Sequence, residues 1–269
     1  MFNRISLFVA ACLIVCSIGI TQAAARSDLA TWSTTDLTGA IELSAVDANG
    51  PMWTLSFRNR SAEFVTAVAV SFKENANYFQ DWLNAEPAGL PPGQTFDLTI
   101  SQDDGAPRKV TISAVLFEDG SGKGDQLPVE VMQRHRFGQI LESSRVKEII
   151  RNRRTSGDDA SLDSLMQKLG TLPLSAEDAF ISLAGVSIPG IQLDSLRKSE
   201  EKLRDAVLWG VSTARERALH QIEAVKHLPI KAANAASPSR TAVLSVLQEQ
   251  YETQNRKALA LLARMQGGH

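Results

Sequence analysis

Cysteine is nearly absent from this chain. It has two, Cys12 and Cys16, both close to the N-terminus. No disulfide framework can brace the remainder, which must fold by burying apolar surface. An excess of charge of one sign is also lacking. Lys and Arg number 28 and Asp and Glu 30, for a formal charge of −2. Such a balance gives no whole-chain attraction to nucleic acid. Basic residues are not interleaved with exposed aromatics, as a single-strand binder requires. Catalytic signatures are missing too: neither HExxH nor G-x-S-x-G occurs. After Ile20 no apolar run approaches the roughly 20 residues of a membrane-spanning helix. Hydrophobic residues at 43% and charged residues at 22% are ordinary for a globular chain, which argues against bulk disorder.

The N-terminus reads as a secretory signal peptide over residues 1–25. Arg4 supplies the positive start, Ile5 to Ile20 is almost wholly apolar, and small residues at Ala23 and Ala25 suit a signal peptidase. Val9-Ala10-Ala11-Cys12 resembles a lipobox, but the apolar run continues past Cys12, which argues against lipidation there. Cleavage removes both cysteines and any anchor. The expected location is periplasmic or extracellular, with no transmembrane segment in the mature chain.

From Gly39 to Phe117 the hydrophobic pattern has period two. Trp53, Leu55 and Phe57 alternate with Thr54, Ser56 and Arg58; Phe96, Leu98 and Ile100 alternate with Asp97, Thr99 and Ser101. Val110, Ile112, Ala114 and Leu116 form a similar set, as do Phe64, Val68, Val70 and Phe72. Each segment predicts a strand with one buried and one wetter face. Asn59-Arg60-Ser61, Pro91-Pro92-Gly93 and Asp103-Asp104-Gly105 punctuate them as turns. Tyr78, Phe79, Trp82 and Leu83 fit either a crossing strand or a helical turn, and Tyr78 and Trp82 are candidate ligand contacts as well as candidate core.

After Gly124 the period lengthens. Helices are predicted over 134–154, 158–169 and from Ser175 onward. Two long ones follow, from about Asp194 to His227 and from Ser237-Pro238 to Met265. Their stripes, including Leu203, Val207 and Val211 on one and Tyr251 and Leu262 on the other, predict an antiparallel hairpin. Those five residues are the candidate surface for another envelope protein or a second copy. The fold class expected is α+β, with an antiparallel immunoglobulin-like β-sandwich at 28–124 and a helical domain at 125–269 ending in the hairpin 194–265.

Glu118 to Asp125 contains Gly-Ser-Gly-Lys-Gly. A phosphate loop would need glycine at Phe117 and a hydroxyl residue at Gly124. Read as a calcium loop, Asp119, Ser121, Asp125 and Glu130 are the candidate ligands, with Gly124 at the turn position. Lys123 falls where an oxygen ligand belongs, so a glycine-rich turn is the favoured reading and no metal or cofactor is expected. The helix near Arg134 is basic, and Arg145, Arg151 and Arg154 are a candidate anionic-surface contact, a solvated face being the commoner outcome. His220 and His227 stand seven apart, too far for a usual zinc pair.

Leu55-Ser56-Phe57-Arg58-Asn59-Arg60-Ser61, Val65 to Phe72, and Leu90-Pro91-Pro92-Gly93-Gln94-Thr95-Phe96 together resemble immunoglobulin-like β modules of exported bacterial proteins. The resemblance covers about 55–120 and implies fold only. The function expected is a non-catalytic protein for interaction or assembly in the cell envelope. The alternatives are a periplasmic small-molecule or glycan binder, a hydrolase with a dispersed site, and a self-associating structural protein. The exported protein is expected to begin at Ala24 or Arg26 and to contain no thiol. Intact mass and thiol titration check both; a reactive thiol would show that the leader is retained.

Overall fold

The computed structural model describes residues 32–49, 51–73, 76–83, 89–101, 109–155, 162–175, 177–178, 181, 201–227 and, between 245 and 260, residues 245, 247–249, 251–253, 256 and 260. The leader 1–25, Cys12, residues 194–200, Ser237-Pro238 and Leu262 lie outside them. The order is strands, then helices, an α+β arrangement. The strands are β1 (Ser33–Asp36), β2 (Ile41–Asn49), β3 (Met52–Asn59), β4 (Val65–Lys73), β5 (Ala76–Asp81), β6 (Thr95–Ser101), β7 (Lys109–Phe117) and β8 (Gly122–Gly124). The helices are α1 (Gln126–Thr155), α2 (Leu162–Gly170) and α3 (Glu201–His227). The aromatic segment from Tyr78 is therefore strand.

One sheet runs β1-β7-β4-β5, with β8 also on β7; the other runs β2-β3-β6. β1 pairs with β7 in parallel and the remaining pairings are antiparallel. The inward residues of both sheets share one core, including Ile41, Leu55, Phe57, Val68, Val70, Leu98, Ile112 and Phe117. Trp32, Trp53 and Trp82 pack at its margin. Asn59 is fully buried and fixes the turns at one end. Its amide donates to the carbonyls of Glu63 and Leu90, and its oxygen accepts from the Ser61 N–H and hydroxyl. The Asn-x-Ser and Pro-Pro-Gly motifs meet there because a buried amide must satisfy all its polar atoms.

The expected face of β7 needs correction. Val110 and Ile112 face the inter-sheet core, but Ala114 and Leu116 face the helices with Met132, while Val115 and Phe117 enter the core. The register with β4 jumps from Ala69↔Ala114 to Val70↔Ile112, leaving Ser113 as the extra residue of a bulge. One extra residue reverses the faces beyond it. Gly124 lies against this bulge at φ +111°, where a Cβ would meet the Ser113 carbonyl oxygen at 2.1 Å. Asp125 N–H then donates to that oxygen at 2.8 Å, and α1 begins. The glycine-rich segment thus turns a strand into a helix in very little space.

Helix α1 packs most extensively on α3. The backbones nearly touch: a Cβ on Gly138 would lie 2.0 Å from the Val207 carbonyl oxygen, and one on Gly210 1.9 Å from that of His135. Farther along, Val146, Ile150, Leu165, Leu169, Ala218 and Ile222 form a second core with Leu247 and Tyr251. Arg215 braces it, donating to Glu142 and to the carbonyls of Leu172 and Pro173. Gly138→Ala and Gly210→Ala are each expected to cost at least about 1–3 kcal/mol, the usual penalty of overpacking. Gly170→Ala, with open space around it, should be near neutral. Urea midpoints measure all three.

Candidate functional site

The outward face of the first sheet carries small or polar side chains where α1 and α3 cross it. Ala69 and Ser71 come from β4, and Thr111 and Ser113 from β7. Their low bulk leaves a cleft of about 780 Å³ between the sheet and the helices. Phe79 enters from β5, Leu127, Val131 and Met132 from the first turns of α1, and Trp209 from α3. Lys109, Lys202 and Asp125 also line it.

Trp209 is the unusual member. It remains 45% exposed although its ring lies 4.1 Å from that of His135 and 5.1 Å from that of Phe79. The three form one aromatic cluster, with Phe79 edge-on to His135 at 5.0 Å. The buried His135 ring and the half-buried Phe79 ring back the indole, and the next residue, Gly210, is where α3 meets the α1 backbone. Leu127, at 41% exposure, stands on the same cleft.

Behind the aromatic cluster is a buried ion pair. Arg136, fully buried, donates to the Asp81 carboxylate through Nε and Nη2, the latter at 2.9 Å, and to the Thr66 carbonyl at 2.6 Å. The His135 ring nitrogen is 3.8 Å from Asp81. Burial alone would raise the Asp81 pKa. The Arg136 charge, the hydrogen-bonding His135 and Arg136 side chains and the Leu83 N–H outweigh it and hold the carboxyl at about 2. Arg217 donates to Gln139 on α1, and burial lowers its pKa. Burial likewise raises the pKa of Tyr251, whose hydroxyl has no hydrogen-bond partner among the described residues.

The four calcium-loop candidates do not converge. Asp119 accepts from the N–H and hydroxyl of Ser121 in a tight turn, Asp125 precedes α1, and Glu130 lies within α1, accepting from Gln126. Among the described residues no group of three or more His, Cys, Asp or Glu is arranged to hold a metal ion. Leu203, Val207 and Val211 are buried in the chain, the last two where α3 meets Gly138 of α1, and Tyr251 is buried in the second core. This corrects their assignment to a partner surface: α1, an earlier helix of the same chain, covers the α3 stripe. Arg145 is buried and pairs with Glu142, so it does not face an anionic surface. Arg151 is exposed but is held by Glu148; the Arg154 side chain lies outside the described residues. Trp82 packs on Phe96 in the inter-sheet core, while Tyr78 lines the cleft and donates to Gln80.

The sequence reading includes Arg136 only in the basic run near Arg134, not as a buried partner of Asp81, and does not include Trp209. A signal existed for the first, because Met132, Arg136 and Ile140 are spaced by four, which sets an arginine inside an apolar stripe. For the second, a lone tryptophan stood off the stripe of its helix. The chain matches no protein-family model, curated protein or solved structure. Among the described residues no helix is long and apolar enough to cross a membrane.

Because the folded pKa of Asp81 lies below the ordinary 3.8, its ionisation stabilises the fold above about pH 4, and this contribution fades as pH falls toward 2. Asp81→Asn is expected to cost about 3–5 kcal/mol at neutral pH, since it strands a buried guanidinium. The difference from the wild type should shrink between pH 4 and pH 2. Denaturant titrations across that range test the sign.

Proposed function

We propose that this is an exported, non-catalytic binding protein that takes a small molecule in the cleft between its first sheet and its helices. The observation that carries the reading is Trp209. A large apolar ring left half exposed in a cleft, and backed by the buried His135 ring and the half-buried Phe79 ring, has the geometry of a contact waiting for a ligand. The size agrees, since ligand sites commonly span about 300–1,000 Å³ and pair apolar walls with a few polar groups. Export rests on the leader-like residues 1–25 and on the absence of cysteine from the rest of the chain. The periplasm or the extracellular space is the proposed location.

The strand pairings support the immunoglobulin-like reading of the β half. Labelled β2 A, β3 B, β4 C, β5 C′, β6 E, β7 F and β8 G, they follow the A-B-E and C′-C-F-G pattern of that sandwich. On this reading the helices cover the outer face of the C′-C-F-G sheet, and the cleft is the part they leave open. An assembly role through the hairpin has weaker support, because Leu203, Val207 and Val211 already have partners within the chain.

The experiment is a fluorescence screen. Trp32, Trp53 and Trp82 all pack on the inter-sheet core, so Trp209 should dominate the emission that iodide quenches. Amphiphiles, saccharides and amino acids are tested for protection from quenching. At least one class should protect the native protein and leave the emission of Trp209→Phe unchanged. If no class protects Trp209, the cleft is not a binding site.

A further inference from the structure

We infer that the cleft selects a single-chain amphipathic anion, with its apolar body against Trp209 and its charged head near Lys109 and Lys202. The inference rests on the cleft being the binding site proposed above, and concerns the class of ligand.

Charge carries the first half of the argument. Two ammonium groups line the cleft, and among the described residues neither is held in an ion pair. They come from separate elements, Lys109 from the first residue of β7 and Lys202 from the first turn of α3. Asp125 is the single carboxylate lining the cleft among the described residues. It sits just ahead of α1, whose first turn contains no acidic residue. The positive end of that helix dipole offsets part of the Asp125 charge. The remaining field is positive, so it opposes a cation and favours an anion.

The walls carry the second half. The cleft that Trp209 lines is also walled by Leu127, Val131 and Met132, none of which can donate or accept a conventional hydrogen bond to a sugar hydroxyl. A saccharide stacked on the indole would lose water from its hydroxyls on that side without replacement. An alkyl chain loses nothing there and removes exposed Trp209 and Leu127 surface from water. Its carboxylate or sulfonate gains charge-assisted hydrogen bonds at the lysines. The polar floor of Ser71, Thr111 and Ser113 lies on the sheet side, within the same cleft.

The test uses decanoate, decanol and decyltrimethylammonium, each below its aggregation concentration, with the folded full-length mature protein and Trp209 quenching as readout. Decanoate should bind at least 10-fold more tightly than either analogue, as expected for hydrogen bonds to a charged group. The double variant Lys109→Gln, Lys202→Gln should lose that preference. Both lysines are exposed, so their replacement is expected to leave the urea midpoint unchanged. Equal binding of the three probes would overturn the anion inference while leaving the cleft a binding site. Binding of a saccharide with no response to any alkyl probe would overturn it in the same way. Silence from every compound, in this series and in the wider screen, would remove the binding site itself.

Discussion

The contact between Arg136 and Asp81 sets the relation of the helices to the sheets. Asp81 is the last residue of β5, and Arg136 lies ten residues into α1. The guanidinium also reaches the Thr66 carbonyl on β4, so one side chain ties the helix to two neighbouring strands. A buried ion pair is weak evidence for stability, because desolvation offsets much of its attraction. Its effect here is positional. A helix resting only on apolar side chains can slide, whereas a guanidinium whose Nε and Nη2 donate to a carboxylate and a carbonyl is tied to the one position that makes those bonds.

Two further constraints act on that anchored helix. Gly138 and Gly210 bring α1 and α3 into backbone contact, so the position of α3 follows from that of α1. The bulge at Ser113 and the glycine at 124 fix where α1 starts. The upper part of the sheet, with Ala67, Ala114 and Leu116, is covered by Met132 and Val129. The lower part, where Ala69, Ser71, Thr111 and Ser113 are small or polar, is not filled, and the cleft is the result. Trp209 precedes Gly210 on α3, so the same close contact that joins the helices presents the indole to the cleft.

Burial reversed the meaning of several charged and apolar residues. The basic run of α1 is divided by the helix period: Arg136 and Arg145 turn inward to carboxylates, while Arg151 stays at the surface. Arg215 follows the same logic on α3, capping carbonyls after α2. The period of the α3 stripe marks it as apolar, and its cover is α1. Periodicity reports which face of a helix is buried and is silent about what buries it.

Local chemistry made much of the fold legible. Period-two alternation located β3 and β6, the turn residues Asn59-Arg60-Ser61 and Pro91-Pro92-Gly93 marked their ends, and the change of period after Gly124 marked the passage to helix; each depends on neighbours a few residues apart. The candidate site was not legible in that way. Asp81 and Arg136 are 55 residues apart, and Phe79, His135 and Trp209 come from three elements. The face change on β7 depends on one unpaired residue, and the helix crossing on two glycines that no local rule links. The sequence by itself determined the order of strands and helices and which residues are apolar enough to be inside. Only the tertiary structure decided which helix covers which stripe, which charges are buried together and where a cleft remains, because these depend on distances between segments far apart in the chain.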